Sequence, residues 1–433
     1  MKEGETTEIL TKDNQKFKGI ILPSPDKNTI ILKLESGYNI GIKNNNIKTY
    51  TSLGKPLLKE KKQTHKIEHN KNLKTILILH TGGTISSRVS YKTGAVSPGF
   101  SPEDILQMFP ELKNKANIKS KLVGNMFSED IRFSHYNKIA REIEKEIKNV
   151  DGIIVTHGTD NLSLGACALS FILENLNKPV IFVGSQRSSD RPSTDAALNL
   201  IAAANFIAKT EFNEVAICMH SRSTDEKCYI LPACKTKKLH TSRRDAFRAV
   251  NSIPIAEVLK NGNINFLKEY KKKEHEEKLK LKLFNEKLKI GILKAHPNMF
   301  AFEIKNYQKF DGIVAEGTGI AGNFPINAVD KETREHQKIY NELKKLANKI
   351  PVIASSNCVF GRINMNVYDT GRKMRQAGIL GNFSDMNTET AFIKLAWLLS
   401  NCKKTEAKKL LMKNFRGELA ERTEYEEDFI QEA

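Results

Sequence analysis

The sequence lacks the features that announce a membrane protein, a metal centre or a disulfide scaffold. No apolar run approaches the ~20 residues needed to cross a bilayer. The opening stretch "MKEGETTEIL" has no apolar core, which argues against a signal peptide and makes the cytoplasm the expected compartment. Cys167, Cys218, Cys228, Cys234, Cys358 and Cys402 are scattered without a CxxC pair, so they read as reduced packing residues. Histidines are equally dispersed and no HExxH occurs, which argues against a structural zinc site.

What is abundant is positive charge. The chain carries 69 basic and 50 acidic residues, a net charge of +19. Such an excess favours a polyanionic partner, RNA or an acidic protein. The excess is mostly lysine spread along the chain, however, and a lysine-rich composition gives the same figure without any nucleic-acid role. Both readings stay open on charge alone. A length of 433 residues allows two or three domains with real cores.

The first 72 residues differ in pattern from the rest. Short β-type runs ("KFKGIILPS", "NTIILKLES", "YNIGIKN") alternate apolar and polar residues, with Ser36 and Gly37 as a hairpin turn. A small antiparallel barrel is expected at 1–72, including a basic linker. From 73 to 270 strand and helix alternate. Strands are expected at Ile76–His80, Ile153–Thr156, Val180–Val183 and Val215–Met219. A helix is expected after Ser134 as N-cap, with Ile139, Ile143 and Ile147 on one face. This pattern predicts an α/β fold with a doubly wound, mostly parallel sheet. A charged stretch at 271–289 marks a linker or solvated helix. A second, smaller α/β domain with a helical tail is expected at 290–433.

Four segments can carry chemistry. "TILILHTGGTIS" delivers Thr84 to the end of an apolar strand, after Gly82 and Gly83, whose backbone can approach a ligand closely. Alone, that segment equally suits an anion-binding turn. "DGIIVTHGTDN" presents Thr159 and Asp160 in the same way, although Asp160 could simply cap the next helix. "KTKKLHTSRRDAFRAVN" offers Lys235, Lys237 and Lys238 ahead of a helix-like run. A threonine hydroxyl needs a base to become a nucleophile, and a lysine oriented by an aspartate can serve. A surface basic loop is the competing reading, preferred for Lys235 and Lys237. "NMFSEDI" places Ser128 beside Glu129, a hydroxyl and carboxylate that could grip an α-ammonium group or cap a helix.

Taken together, "TGGTIS", "SED", "THGTDN" and "VGSQRSSDRPSTDAALNL" resemble, in order and spacing, the bacterial-type asparaginase/glutaminase family over about residues 74 to 400. The resemblance implies an asparaginase-like fold with a larger and a smaller α/β domain. It implies Thr84 as primary nucleophile and Thr159, Asp160 and Lys238 as a second catalytic triad. It also implies Gly83, Ser128 and Glu129 as substrate-binding positions. The family's mobile-loop tyrosine would fall at Tyr91, and Asp369 is the candidate for the carboxylate supplied by a neighbouring subunit.

The N-terminal β module, "LHTSRRDAFRAVN", "GRINMNVYDTGR" and the tail "NFRGELAERTEYEEDF" resemble more closely the D-subunit family of the glutamyl-tRNA(Gln) amidotransferases. That resemblance implies hydrolysis of glutamine, or asparagine, as ammonia donor. It also implies a partner, the amidotransferase E-subunit. The partner would activate Glu-tRNA(Gln) with ATP and Mg, leaving this chain without a cofactor or metal of its own. It further implies a homodimer core within a heterotetramer. The alternatives are a free-standing L-asparaginase/glutaminase, which has no need of the first 72 residues, and a non-catalytic RNA-binding scaffold, which has no need of Lys238.

Overall fold

A computed structural model describes residues 2–24, 26–34, 39–54, 69–83, 87–89, 96–98, 101–189, 193–270, 272, 274, 277–423 and 425. The N-terminal module is a five-stranded antiparallel sheet of β1 (Thr6–Thr11), β2 (Lys16–Leu22), β3 (Thr29–Leu34), β4 (Asn39–Lys43) and β5 (Ile47–Ser52), in the order β4-β3-β2-β1-β5. The alternation read in the sequence sets its core. Ile9, Ile21, Leu32 and Ile42 are buried, and Ile30, Leu34 and Ile40 pack against them. The expected hairpin joins β3 to β4, but its turn residues Ser36 and Gly37 lie outside the described residues.

The central sheet begins with β6 (Thr75–His80). A short antiparallel pair, β7 (Ser87–Val89) and β8 (Val96–Pro98), and helix α1 (Pro102–Met108) precede β9 (Asn117–Leu122). Then come α2 (Phe133–Glu146), β10 (Gly152–Thr156), α3 (Leu162–Ile172), a two-residue β11 (Leu173–Glu174), β12 (Val180–Val183), α4 (Ala196–Lys209) and β13 (Val215–His220). The order β9-β6-β10-β12-β13 is parallel throughout. Beyond it β14 (Lys227–Pro232), β17 (Ala256–Leu259) and β18 (Ile264–Phe266) extend the sheet antiparallel. Between them β15 (Thr236–Lys238) and β16 (Phe247–Ala249) form a separate hairpin.

The uninterrupted apolar run of β6 follows from burial on both faces. Ile76 and Ile78 enter the core on the α1 and α4 side, whereas Leu77 and Leu79 enter the core on the α2 and α3 side. All four are at most 3% exposed. Each contributes roughly 1.5–3 kcal/mol of burial. In α2, Ile139, Ile143 and Ile147 are buried at their four-residue spacing, Ile147 falling in the turn that closes the helix. Ser134 is not the N-cap. The helix starts two residues earlier, with Arg132 at the cap, because the His135 ring takes the cap N–H (Nδ1, 3.0 Å).

The charged stretch 271–289 supplies no helix among the described residues. Instead β19 (Lys280–Leu281) pairs with β11, and Phe284 is buried with its backbone held by Asn137 of α2. The smaller lobe is the parallel sheet β20 (Ile290–Lys294), β21 (Gly312–Gly317) and β22 (Val352–Ser356). Helices α5 (Ala301–Lys305) and α6 (Arg334–Lys349) pack on one face, and α7 (Asp369–Gln376) precedes α8 (Thr388–Asn401). Helix α8 lies between β21 and α3, so Leu395 and Leu398 share a core with Phe171. In the tail only α9 (Lys404–Leu410) is helical among the described residues. Residues 411–423 run on irregularly, with Glu418 fully buried. No helix of the described residues is long and apolar enough to cross a membrane.

Candidate active site

Three parallel strand ends meet at the carboxyl edge of the central sheet. Gly82 and Gly83 follow β6 with φ of 116° and 86°, in the region glycine alone enters freely. A side chain at Gly82 would lie 2.3 Å from the Met126 carbonyl oxygen, and one at Gly83 would lie 2.9 Å from the Gly158 nitrogen. The two glycines therefore bring the end of β6 against both neighbouring loops. Thr81 ties the junction, donating from Oγ1 to the Thr156 carbonyl (2.9 Å) and accepting at its own carbonyl from Met126 N–H (3.1 Å). Thr84 directly follows Gly83 and lies outside the described residues, as does Tyr91.

Ser128 opens a short 3₁₀ turn, Ser128–Asp130, after β9. It is buried, and a side chain at Gly158 would touch its Cβ at 2.9 Å. Asn161 clamps it, donating from its backbone to Ser128 Oγ (3.3 Å) and from its side chain to the Ser128 carbonyl (3.1 Å). Ser128 Oγ also reaches the carboxylate of Glu129 at 3.4 Å, and Glu129 is exposed.

Thr159 and Asp160 lie in the turn between β10 and α3. Asp160 does not cap that helix. Asn161 holds the N-cap position, and the Asp160 carboxylate turns to Lys238. Lys238 Nζ donates to Asp160 Oδ1 at 2.8 Å and to Thr159 Oγ1 at 3.0 Å. Its side chain is only 12% exposed, although that of Asp160 is 69% exposed. An amine on a threonine hydroxyl and oriented by a carboxylate is the arrangement required to move a proton to and from that hydroxyl.

The segment carrying Lys238 departs from expectation. "DAFRAVN" is not helical, because Phe247–Ala249 pair antiparallel with Thr236–Lys238 and hold Lys238 by backbone register. Nor do Lys235 and Lys237 lie in a surface loop. Lys235 is 4% exposed and pairs with Asp385 at 2.6 Å, and burial pulls its pKa down against the attraction of that carboxylate. Lys237 pairs with Glu389 at 2.5 Å. Asp369 begins α7 with its carboxylate on Lys373 (2.9 Å), which holds its pKa low, and serves that helix end within this chain.

Two buried histidines brace the strand ends. His80 contacts Thr156 Oγ1 (3.0 Å) and Ser120 Oγ (3.1 Å), and His157 contacts the Gly158 carbonyl through Nδ1 (2.8 Å). Burial pulls both down to a pKa of about 4, so both are neutral at pH 7. Sequence reading misses these histidines, Thr81 and Asn161. Their only signal is adjacency to the threonine and serine motifs.

Residues 75–272 match the model "Asparaginase, N-terminal", residues 289–412 the "Glutaminase/Asparaginase C-terminal domain", and residues 1–51 the "GatD N-terminal domain". The chain is 40% identical to the D-subunit of the glutamyl-tRNA(Gln) amidotransferase of Pyrococcus furiosus, over 95% of this chain and 93% of that one. It is also 40% identical to the corresponding protein of Methanococcus maripaludis, over 95% and 97%. Among solved structures, the thermostable L-asparaginase from Thermococcus kodakarensis superposes with a TM-score of 0.70 at 26% identity, covering 80% of this chain and 99% of that one. L-asparaginase I from Vibrio cholerae gives 0.68 at 26% identity, over 80% and 99%.

Proposed function

This chain belongs to the D-subunit family of the glutamyl-tRNA(Gln) amidotransferases, and from that premise we propose that it is the amide-hydrolysing component that supplies ammonia for converting Glu-tRNA(Gln) to Gln-tRNA(Gln). The observation that carries the reading is Lys238 Nζ on both Thr159 Oγ1 (3.0 Å) and Asp160 Oδ1 (2.8 Å). A scaffold or RNA-binding module has no use for a largely buried amine held against a hydroxyl.

In this reading Thr84 Oγ attacks the side-chain carboxamide of glutamine, or of asparagine. The attack forms an acyl-enzyme, and the amide nitrogen leaves as ammonia. Backbone N–H groups around Gly83 and Thr159 face the developing oxyanion, an effect worth about 10²–10³ in rate per donor. Water activated through Thr159, Lys238 and Asp160 then attacks the ester and releases the acid. Ser128 and Glu129 hold the α-amino and α-carboxyl ends of the substrate. The partner, the amidotransferase E-subunit, binds Glu-tRNA(Gln), activates its glutamate with ATP and Mg, and receives the ammonia. The chain works as a homodimer core within a heterotetramer.

Co-purification with the E-subunit, followed by glutamine hydrolysis with and without Glu-tRNA(Gln), tests this. Ammonia release that rises with the charged tRNA supports it. Fast hydrolysis of free asparagine, indifferent to partner and tRNA, assigns instead a free-standing L-asparaginase. Strong salt-dependent RNA binding without any amidase activity assigns the scaffold.

A further inference from the structure

Behind Thr159 lies a chain of polar groups whose inner members, Asp195, Asn199 and His220, are buried and whose outer end, Asp225, is exposed. Gly184 follows β12 so close to Thr159 that a side chain there would lie 2.8 Å from the Thr159 methyl carbon. Gly184 is thus the wall against which Thr159 rests. Its carbonyl accepts from Asn199 Nδ2 at 3.0 Å. The next three residues are held by Asp195, whose carboxylate accepts from Ser185 Oγ (3.1 Å), Gln186 N–H (3.0 Å) and Arg187 N–H (3.0 Å), and also from Asn199 Nδ2 (3.1 Å). Asp195 occupies the N-cap position of α4 yet makes no side-chain cap there, because its carboxylate is turned back onto the loop.

The relay continues away from the loop. Asn199 Oδ1 accepts from His220 Nδ1 at 2.6 Å, and His220 Nε2 meets Asp225 Oδ1 at 3.2 Å. Asp225 is bound by Arg244 Nη1 at 2.7 Å. Arg244 lies in the turn of the β15–β16 hairpin, six residues after Lys238. The path therefore begins at the wall behind Thr159 and ends on the hairpin that carries Lys238. Asp195, Asn199 and His220 are all fully buried.

Burying a carboxylate, an amide and an imidazole together costs more than packing apolar side chains of the same volume. The groups are satisfied only in one mutual arrangement, so they specify geometry. We propose that Asn199, His220, Asp225 and Arg244 are positioning residues that set the distance from Lys238 Nζ to Thr159 Oγ1 by locking the Lys238 hairpin to the Gly184 loop. The inference rests on the reading of Thr159 and Lys238 as catalytic.

The test is steady-state glutaminase kinetics of the full complex carrying Arg244→Met, His220→Leu or His220→Asn, beside Lys238→Ala. His220→Leu breaks both links, whereas His220→Asn keeps a donor at the Nδ1 position for Asn199. Misplacing a proton-transfer pair by a fraction of an ångström costs on the order of tenfold or more in rate. Arg244→Met and His220→Leu should each lower kcat by about that factor while KM stays within about threefold, and His220→Asn should recover most of the loss. Arg244 is at the solvent side of the relay, so its variant decides the matter should His220→Leu fail to fold. Wild-type kcat in folded Arg244→Met overturns the relay, as does a fall in which KM rises in parallel. An active Lys238→Ala overturns the catalytic reading instead.

Discussion

Lys235 and Asp385, 150 residues apart, form an ion pair 2.6 Å long with both side chains at most 5% exposed. The pair joins the turn that leads into β15, the strand that presents Lys238, to the loop before α8, so the smaller lobe steadies that strand of the larger one. Removing one partner leaves a buried charge without its counterion, which typically costs about 3–5 kcal/mol. Lys235→Ala is therefore expected to lower urea-unfolding stability by about that amount. Lys235→Met with Asp385→Leu should recover part of it. A single variant as stable as the wild type would show that the pair does not bind the lobes together.

Lys238→Ala removes the only group bonded to both Thr159 Oγ1 and Asp160 Oδ1 among the described residues. General-base contributions run to about 10²–10⁴ in rate, so kcat for glutamine hydrolysis should fall by roughly 10³ with the melting temperature little changed. Asp160→Asn keeps the shape and loses the charge that orients the amine, and should fall less. Single-turnover ammonia release measures both, and a near-normal rate in Lys238→Ala would falsify the triad.

Gly83→Ala tests the contact between strand ends. The new methyl would lie 2.9 Å from Gly158 N at a φ of 86°. Strain of this kind costs about 1–3 kcal/mol. Because the displaced turn carries Thr159, activity should drop at least about tenfold even at temperatures where the variant stays folded. Equal activity per folded molecule would separate Gly83 from the site.

Acid should destabilise the protein through His80 and His157. Each has an ordinary pKa near 6.5 when unfolded and about 4 when buried in the fold. Between these values the unfolded chain binds the extra protons, so stability is intact above pH 6.5 and falls as pH drops toward 4. The slope is roughly 1.4 kcal/mol per pH unit for each histidine. Urea denaturation at pH 7, 6 and 5 measures it, and His80→Gln should remove about half. A flat profile over this interval contradicts the burial of neutral imidazoles.

The tail is pinned by Lys394, fully buried, which donates to Glu418 Oε1 (2.7 Å) and to the Lys413 carbonyl (2.6 Å). Glu418→Gln should cost about 1–3 kcal/mol through the weakened pair. Protease cleavage after Lys413 should then appear under conditions where the wild type resists. Equal protease resistance would show that the tail is held by its apolar contacts, Leu411 and Leu419, alone.

Much of the fold is legible in the chain because local pattern and burial coincide. Continuous apolar runs such as Ile76–Leu79 fit strands covered on both faces, and the four-residue spacing of Ile139, Ile143 and Ile147 buries one helix face. The helix start at Phe133 escapes a reading that seeks a hydroxyl cap at Ser134, because a histidine ring satisfies the cap instead. "DAFRAVN" reads as helical in isolation because its strand pairing with Thr236–Lys238 is non-local. Lys235 and Lys237 read as solvent-facing because their carboxylate partners are about 150 residues away in the chain.

By itself the sequence determined which strands end in a hydroxyl and which turns are glycine, since these follow from residue type and short-range periodicity. The family resemblance already points to Lys238, but only the tertiary structure supplies the physical reason that it, rather than Lys235 or Lys237, reaches Thr159. All three carry the same charge within four residues, and nothing local distinguishes them. The register of a hairpin closed by Phe247 and the carboxylates of another lobe set which amine faces the cleft, and those are contacts that exist only once the chain has folded.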